Sequence, residues 1–180
     1  MALRPWKTLS TERKIKNPWW EYRYDRFELP DGRPGEYHLV HTNGSSMVVP
    51  AGADGTILMV NQYRYLARRE SLEFPCGAVK DGSTYEETAE HELREETGFV
   101  AEEMTLAGTF NPYNGVTDEF CRVYLARRLT HVGASPDDTE EFELLSLTVS
   151  EIDARIKDGS LWDGMSLAAW CIIKPQLIGG

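Results

Sequence analysis

Polar and aromatic residues alternate along Trp19 to Tyr37, in WWEYRYDRFELPDGRPGEY, with the period of two that a half-buried strand requires. Asp31-Gly32 divides the stretch and supplies a tight turn, so it predicts a β-hairpin. A second turn at Asp54-Gly55 separates Met47 to Pro50 from a strand expected over Thr56 to Tyr65. Glu73 to Asp81 is short and carries glycine, and it reads as a loop. The pattern then changes period. Thr84 with Glu87 three residues on forms a capping box, Ser83 with Glu86 is an equally legal cap, and Gly98 supplies a stop. Together they predict a helix over Tyr85 to Thr97. Passages rich in β-formers, Cys121 to Ala126 and Leu144 to Val149, flank an acidic loop, Ser135 to Glu141. Helical spacing returns at Ile152 and Ile156, and again through Leu167 to Ile172. Strands with one or two helices among them indicate an α+β or mixed α/β domain.

Composition narrows the partners. A chain of 180 residues with 41% apolar and 27% charged residues is ordinary for one compact domain. Its net charge of −10 repels nucleic acid and anionic membranes, and no basic cluster offsets it. An anionic substrate would therefore need a cation. Cys76, Cys121 and Cys171 are far apart, odd in number and without CxxC spacing, which argues against a disulfide framework or structural zinc and fits a reducing cytoplasm. The start, MALRPWKTLS, lacks the apolar segment of a signal peptide, and the longest apolar run, Leu167 to Ile173, is too short to span a bilayer. The expectation is a soluble, unprocessed protein with no nucleic-acid or membrane partner.

Candidate chemistry lies in the predicted helix. Glu92, Glu95 and Glu96 stand at i, i+3 and i+4, so three carboxylates share one side of one turn. Their mutual repulsion, roughly 0.2 to 0.5 kcal/mol per pair, is relieved by a cation. Hard divalent ions prefer such oxygen ligands and share them with phosphate oxygens, so the face suits Mg²⁺ or Mn²⁺. A solvated acidic face is the plainer alternative.

The stretch GAVKDGSTYEETAEHELREETGF resembles a Nudix box, with Gly77, Glu92, Leu93, Glu95, Glu96, Gly98 and Phe99 in register. Two positions depart: Ser83 replaces the usual glutamate and His91 the usual arginine. Further segments resemble the branch that acts on ADP-ribose and nucleoside diphosphate sugars. EFPCG, Glu73 to Gly77, is similar to a motif in which the residue before the glycine offers its carbonyl to a metal, which would make Cys76 a backbone ligand. Gln62-Tyr63-Arg64 resembles the branch's Q-x-R, so Arg64 would contact the diphosphate or brace an acidic residue. NPYNGVTDE resembles the sugar-side segment, with Asn114 at the usual proline position. The acidic run DDTEEFE, Asp137 to Glu143, resembles the loop that supplies the catalytic base, with Glu140 first and Glu141 second, beside a role for Glu95. Trp19, with Trp20 as its rival, and Tyr37 align with aromatic positions that sandwich the base in intertwined dimers.

The resemblance implies an α/β/α Nudix sandwich with a mixed sheet and an N-terminal β-hairpin extension. Residues 1–45 would serve dimerisation and base binding, and residues 46–180 would form the hydrolase domain. Glu92, Glu95, Glu96 and the Cys76 carbonyl would hold Mg²⁺ or Mn²⁺, and a homodimer would cut a nucleoside diphosphate sugar or ADP-ribose into nucleoside monophosphate and sugar phosphate. A non-catalytic nucleotide-sugar sensor and a nucleoside triphosphate pyrophosphatase are the competing readings. Where the family has a permanently charged arginine, a brace made by His91 would change with pH.

Overall fold

The computed structural model describes residues 3–133 and 142–178. The chain divides into two compact units, Met1–Gly44 with Asn111–Glu119, and Ser45–Phe110 with Phe120–Gly180.

The first unit is an antiparallel sheet in the order β1-β2-β3, made of β1 (Lys7–Lys16), β2 (Glu21–Glu28) and β3 (Pro34–His41). The expected hairpin is β2 with β3, paired from Glu21 opposite His41 to Glu28 opposite Pro34. Its turn places Gly32 at a φ of 86°, where a side chain would be strained. β1 is an addition to that expectation. All of its residues are exposed, so no burial period marks it in the sequence. Trp6 stacks on Phe27 with ring centroids 4.7 Å apart, and Gly35 leaves the room that Phe27 occupies, since a Cβ there would stand 2.3 Å from its ring. The segment Asn111–Glu119 returns to β3: the Val40 amide donates to the Val116 carbonyl at 2.9 Å, and His41 Nδ1 meets Asp118 Oδ2 at 2.7 Å.

The second unit holds two sheets and three helices. One sheet is antiparallel, β10-β5-β6, from β10 (Glu143–Thr148), β5 (Thr56–Arg64) and β6 (Arg69–Glu73). The other is mixed, β7-β4-β9-β8, from β7 (Cys76–Ala78), β4 (Ser45–Pro50), β9 (Cys121–His131) and β8 (Phe99–Phe110), with β4 and β9 parallel. β4 is buried along its whole length and serves two cores. Val48 packs with Ala89 and Leu93 of α1 (Tyr85–Thr97) and with Tyr124 and Ala126. Met47 and Val49 point to the other face, into a core with Ile57, Met59, Phe74 and Val123. That core includes Ile152 of α2 (Val149–Asp158) and Trp170 and Ile173 of α3 (Gly164–Ile178). Alternate residues of one strand thus feed two helical layers, as the expected α/β/α arrangement requires. Among the described residues no helix is long and apolar enough to cross a membrane.

Several expectations are corrected. Glu73 to Asp81 is not all loop, because Cys76–Ala78 pairs with Ser45–Met47 at the sheet edge. Phe99–Phe110 forms a strand that the pattern does not announce: its burial is irregular and its register shifts between Leu106 and Gly108. Val149 opens α2 and does not end β10, because Thr148 caps that helix in a box with Glu151. The two helical stretches expected in the tail, by contrast, are present as α2 and α3, divided after the left-handed Gly159.

Glu21 is the most strongly perturbed carboxylate of the first unit. Its hydrogen bond from Arg23 (Nη2 to Oε2, 2.8 Å) leads the causes that lower its pKa from 4.5 to about 2, against desolvation and with help from Lys16 and Arg13. Because the folded value is depressed, the stabilisation is present above the unfolded pKa and is lost as pH falls through the folded one. The difference in melting temperature between the parent and Glu21→Gln should be present at neutral pH and should shrink as pH falls from 4.5 towards about 2. Parallel thermal melts across that range would check it.

Candidate active site

Helix α1 carries the site because its cap, its packing and its stop all hold. The Thr84 hydroxyl accepts from the Glu87 amide at 3.1 Å while the Glu87 carboxylate accepts from the Thr84 amide at 2.8 Å. The alternative cap at Ser83 is not used; the Ser83 amide donates instead to the Lys80 carbonyl in the preceding turn. Ala89 and Leu93 anchor the inner face at full burial, and Gly98 ends the helix at a φ of 73°. With that face fixed, Glu92 and Glu95 sit at its margin, half-buried, and Glu96 is buried at 7% exposure.

Strand β7 runs beside this turn. A Cβ on Gly77 would stand 2.0 Å from Glu92 Oε1, so only glycine leaves that carboxylate its place. The Cys76 thiol is pushed well above its usual range, first by a hydrogen bond with Cys121 and then by burial and by the charges of Cys121, Glu96 and Glu92. The thiol is therefore held in its protonated form in this structure.

Among the described residues, Arg64 directs its guanidinium at Glu73. Its Nε donates to Glu73 Oε1 at 2.8 Å and its Nη2 to Glu73 Oε2, a two-pronged contact with a carboxylate that is 5% exposed. Gln62 Nε2 reaches the same carboxylate at 3.5 Å. The Q-x-R and E-x-P-x-G segments therefore meet at Glu73, a residue the sequence reading passed over although it opens EFPCG. The Glu73 bond, ahead of all other causes, raises the Arg64 pKa, and the more distant charges of Asp163 and Glu96 act in the same direction. Of the two roles open to Arg64, the structure displays the bracing one.

His91 meets Glu95: its Nδ1 lies 2.9 Å from Glu95 Oε2, one turn further along the helix. The i,i+4 spacing puts these two side chains above one another, whereas adjacent residues diverge by about 100°. The ligand atoms of His91, Glu92 and Glu95 all lie within 4.8 Å of one another, a group able to hold a metal. The donors and the glycine cradle fit a divalent ion.

The first unit holds the remaining candidates. Trp19 is 73% exposed, Trp20 40% and Tyr37 39%, so each offers an aromatic surface to solvent. The Tyr37 hydroxyl donates to the Gly115 carbonyl at 3.1 Å, which brings Tyr37 to the segment that carries the exposed Asn114. Glu140 and Glu141 lie outside the described residues.

Comparison with known proteins agrees with this geometry. Residues 41–165 match the family model described as NUDIX domain, and residues 6–40 match the nucleoside diphosphate sugar hydrolase N-terminal domain. The chain is 30% identical to the methanol dehydrogenase activator of Bacillus methanolicus, over 94% of this chain and 93% of that one. It is 28% identical to an ADP-ribose pyrophosphatase of Bacillus subtilis, over 91% and 89%. A crystal structure of an ADP compounds hydrolase shares the fold, with a TM-score of 0.84 at 17% identity, covering 99% of this chain and 97% of the other.

Gly77→Ala tests the cradle. The added methyl group must displace Glu92, so divalent-ion affinity should fall by about tenfold or more, within the range for lost support of a metal site. Calorimetric titration, with circular dichroism to confirm folding, measures it; unchanged affinity would remove Glu92 from the site.

Proposed function

Because the chain belongs to the Nudix hydrolase family, we propose that it cuts the diphosphate bridge of a nucleoside diphosphate sugar or of ADP-ribose, with Mg²⁺ or Mn²⁺, releasing nucleoside monophosphate and sugar phosphate. The observation that carries this reading is the glutamate turn of α1 set against Gly77, in a chain whose N-terminal residues 6–40 match a nucleoside diphosphate sugar hydrolase domain. The relative named as an ADP-ribose pyrophosphatase supports the same substrate class.

Glu92, Glu95 and Glu96, with the Cys76 carbonyl, hold the metal in this proposal. A bound divalent ion neutralises the diphosphate and lowers the pKa of water at the site. Glu73 fixes the guanidinium of Arg64. That cation then lies in the field of Glu96 and offsets part of the negative charge that would otherwise repel an anionic substrate. Glu140 or Glu141 takes the proton from water. Trp19, with Trp20 as alternative, and Tyr37 stack on the base, two chains pair through the N-terminal strands, and the protein works in the cytoplasm. A second reading, action upon another enzyme, is favoured by the relative named as a methanol dehydrogenase activator.

Two measurements test these assignments. A panel of ADP-ribose, UDP-glucose, GDP-mannose and a nucleoside triphosphate should show turnover of the first three and little of the last. Glu96→Gln should lower that turnover by orders of magnitude while the fold is kept, because a neutral amide binds Mg²⁺ poorly. Binding without turnover by the parent would instead favour a sensor. Sedimentation at micromolar concentration should find a dimer, and a fully active monomer would remove the pairing of two chains.

A further inference from the structure

His91 places an imidazole nitrogen beside the two outer carboxylates of α1. Its Nδ1 and Glu95 Oε2 stand 2.9 Å apart, and both lie within 4.8 Å of a ligand atom of Glu92. Neighbouring donors around an ion with bonds of about 2.1 Å stand about 3 Å apart, and opposite donors about 4.2 Å. The His91–Glu95 separation already matches a neighbouring pair, and the Glu92 donor lies within 4.8 Å of both. The His91 side chain is 60% exposed at the edge of the helix, so solvent and ions reach it.

The identity of the atom decides what the group can bind. Arginine carries five N–H donors and no lone pair, so at this position it could support a ligand but never be one. A neutral imidazole offers a lone pair of borderline softness. Mg²⁺ keeps to oxygen and binds nitrogen weakly, whereas the later first-row ions accept nitrogen and carboxylate together.

We propose that His91, Glu92 and Glu95 form a mixed nitrogen and oxygen metal position, through which this chain takes a first-row transition ion such as Mn²⁺, Co²⁺ or Zn²⁺ in preference to Mg²⁺. The inference rests on the metal-dependent reading of the α1 carboxylates and adds to it a donor and a selectivity. A hydrogen bond between His91 and Glu95 that merely steadies the helix has a different signature. A pair of that kind at the edge of a helix contributes little, and its loss acts on every ion alike.

The test compares the parent with His91→Gln and His91→Arg at about pH 8, where most free imidazole is neutral. Glutamine keeps a hydrogen-bond donor for Glu95 but has no ring nitrogen. Affinities for Mg²⁺, Mn²⁺ and Co²⁺ are measured by calorimetry on protein without substrate. Both variants should bind Co²⁺ about tenfold more weakly than the parent, with a smaller loss for Mn²⁺ and less than about twofold change for Mg²⁺. In the parent, Co²⁺ should also produce a far-shifted imidazole N–H proton resonance that is missing in His91→Gln. Equal losses for all three ions, or a Co²⁺ complex with no such resonance, would overturn the proposal. These readouts need no turnover, so a parent that binds Co²⁺ through His91 yet hydrolyses nothing would sink the hydrolase reading and leave this one standing.

Discussion

Burial of β4 on both faces is the constraint from which the second unit follows. β9 pairs with it along all of Ser45–Pro50, β7 pairs with Ser45–Met47 on the other side, and beyond β7 the Val48 amide donates to the Pro75 carbonyl at 2.9 Å. Its side chains then divide by parity: Val48 draws α1 onto one face, and Met47 and Val49 draw the opposite layer onto the other. The same strand that seats α1 also holds β7 in register, Met47 facing Cys76 and Ser46 facing Gly77. Helix and glycine are placed by one element, and the close approach of Glu92 to Gly77 is its result.

Charge is arranged on that frame in two ways. Glu73 is buried and receives both prongs of Arg64, so its desolvation is offset where it arises. Glu92 and Glu95 stand half-buried at the rim of the helix. A half-exposed arginine anchored on a buried carboxylate, together with a rim of carboxylates on α1, gives a site that is structurally settled on one side and able to receive a cation on the other.

The legible parts of the sequence were those with local chemistry. The capping box at Thr84 and the left-handed Gly98 act within a few residues, and they delimit α1 at the residues expected, Tyr85 and Thr97. The turns at Gly32 and Gly55 are legible for the same reason, both having a positive φ that glycine tolerates. β1 was illegible because strand pairing, not burial, holds it, and pairing leaves no periodic trace. β8 was obscured by its register shift. In the site, the glutamate turn could be read from spacing alone. The Arg64–Glu73 pair and the His91–Glu95 contact could not, since the first needs the β5–β6 register and the second turns on which of two neighbouring carboxylates the imidazole meets.

The return of residues 111–119 to β3 bears on how this chain can be recombined. The first unit is continuous in space and interrupted in sequence, because Tyr37 and His41 find partners in Gly115 and Asp118, more than seventy positions later. A cut after Gly44 looks like a clean junction along the chain. It is not one, for a transplanted N-terminal sheet would leave behind the segment that completes it. Chimeras with relatives must carry both pieces together, and drift in one piece constrains what the other can become.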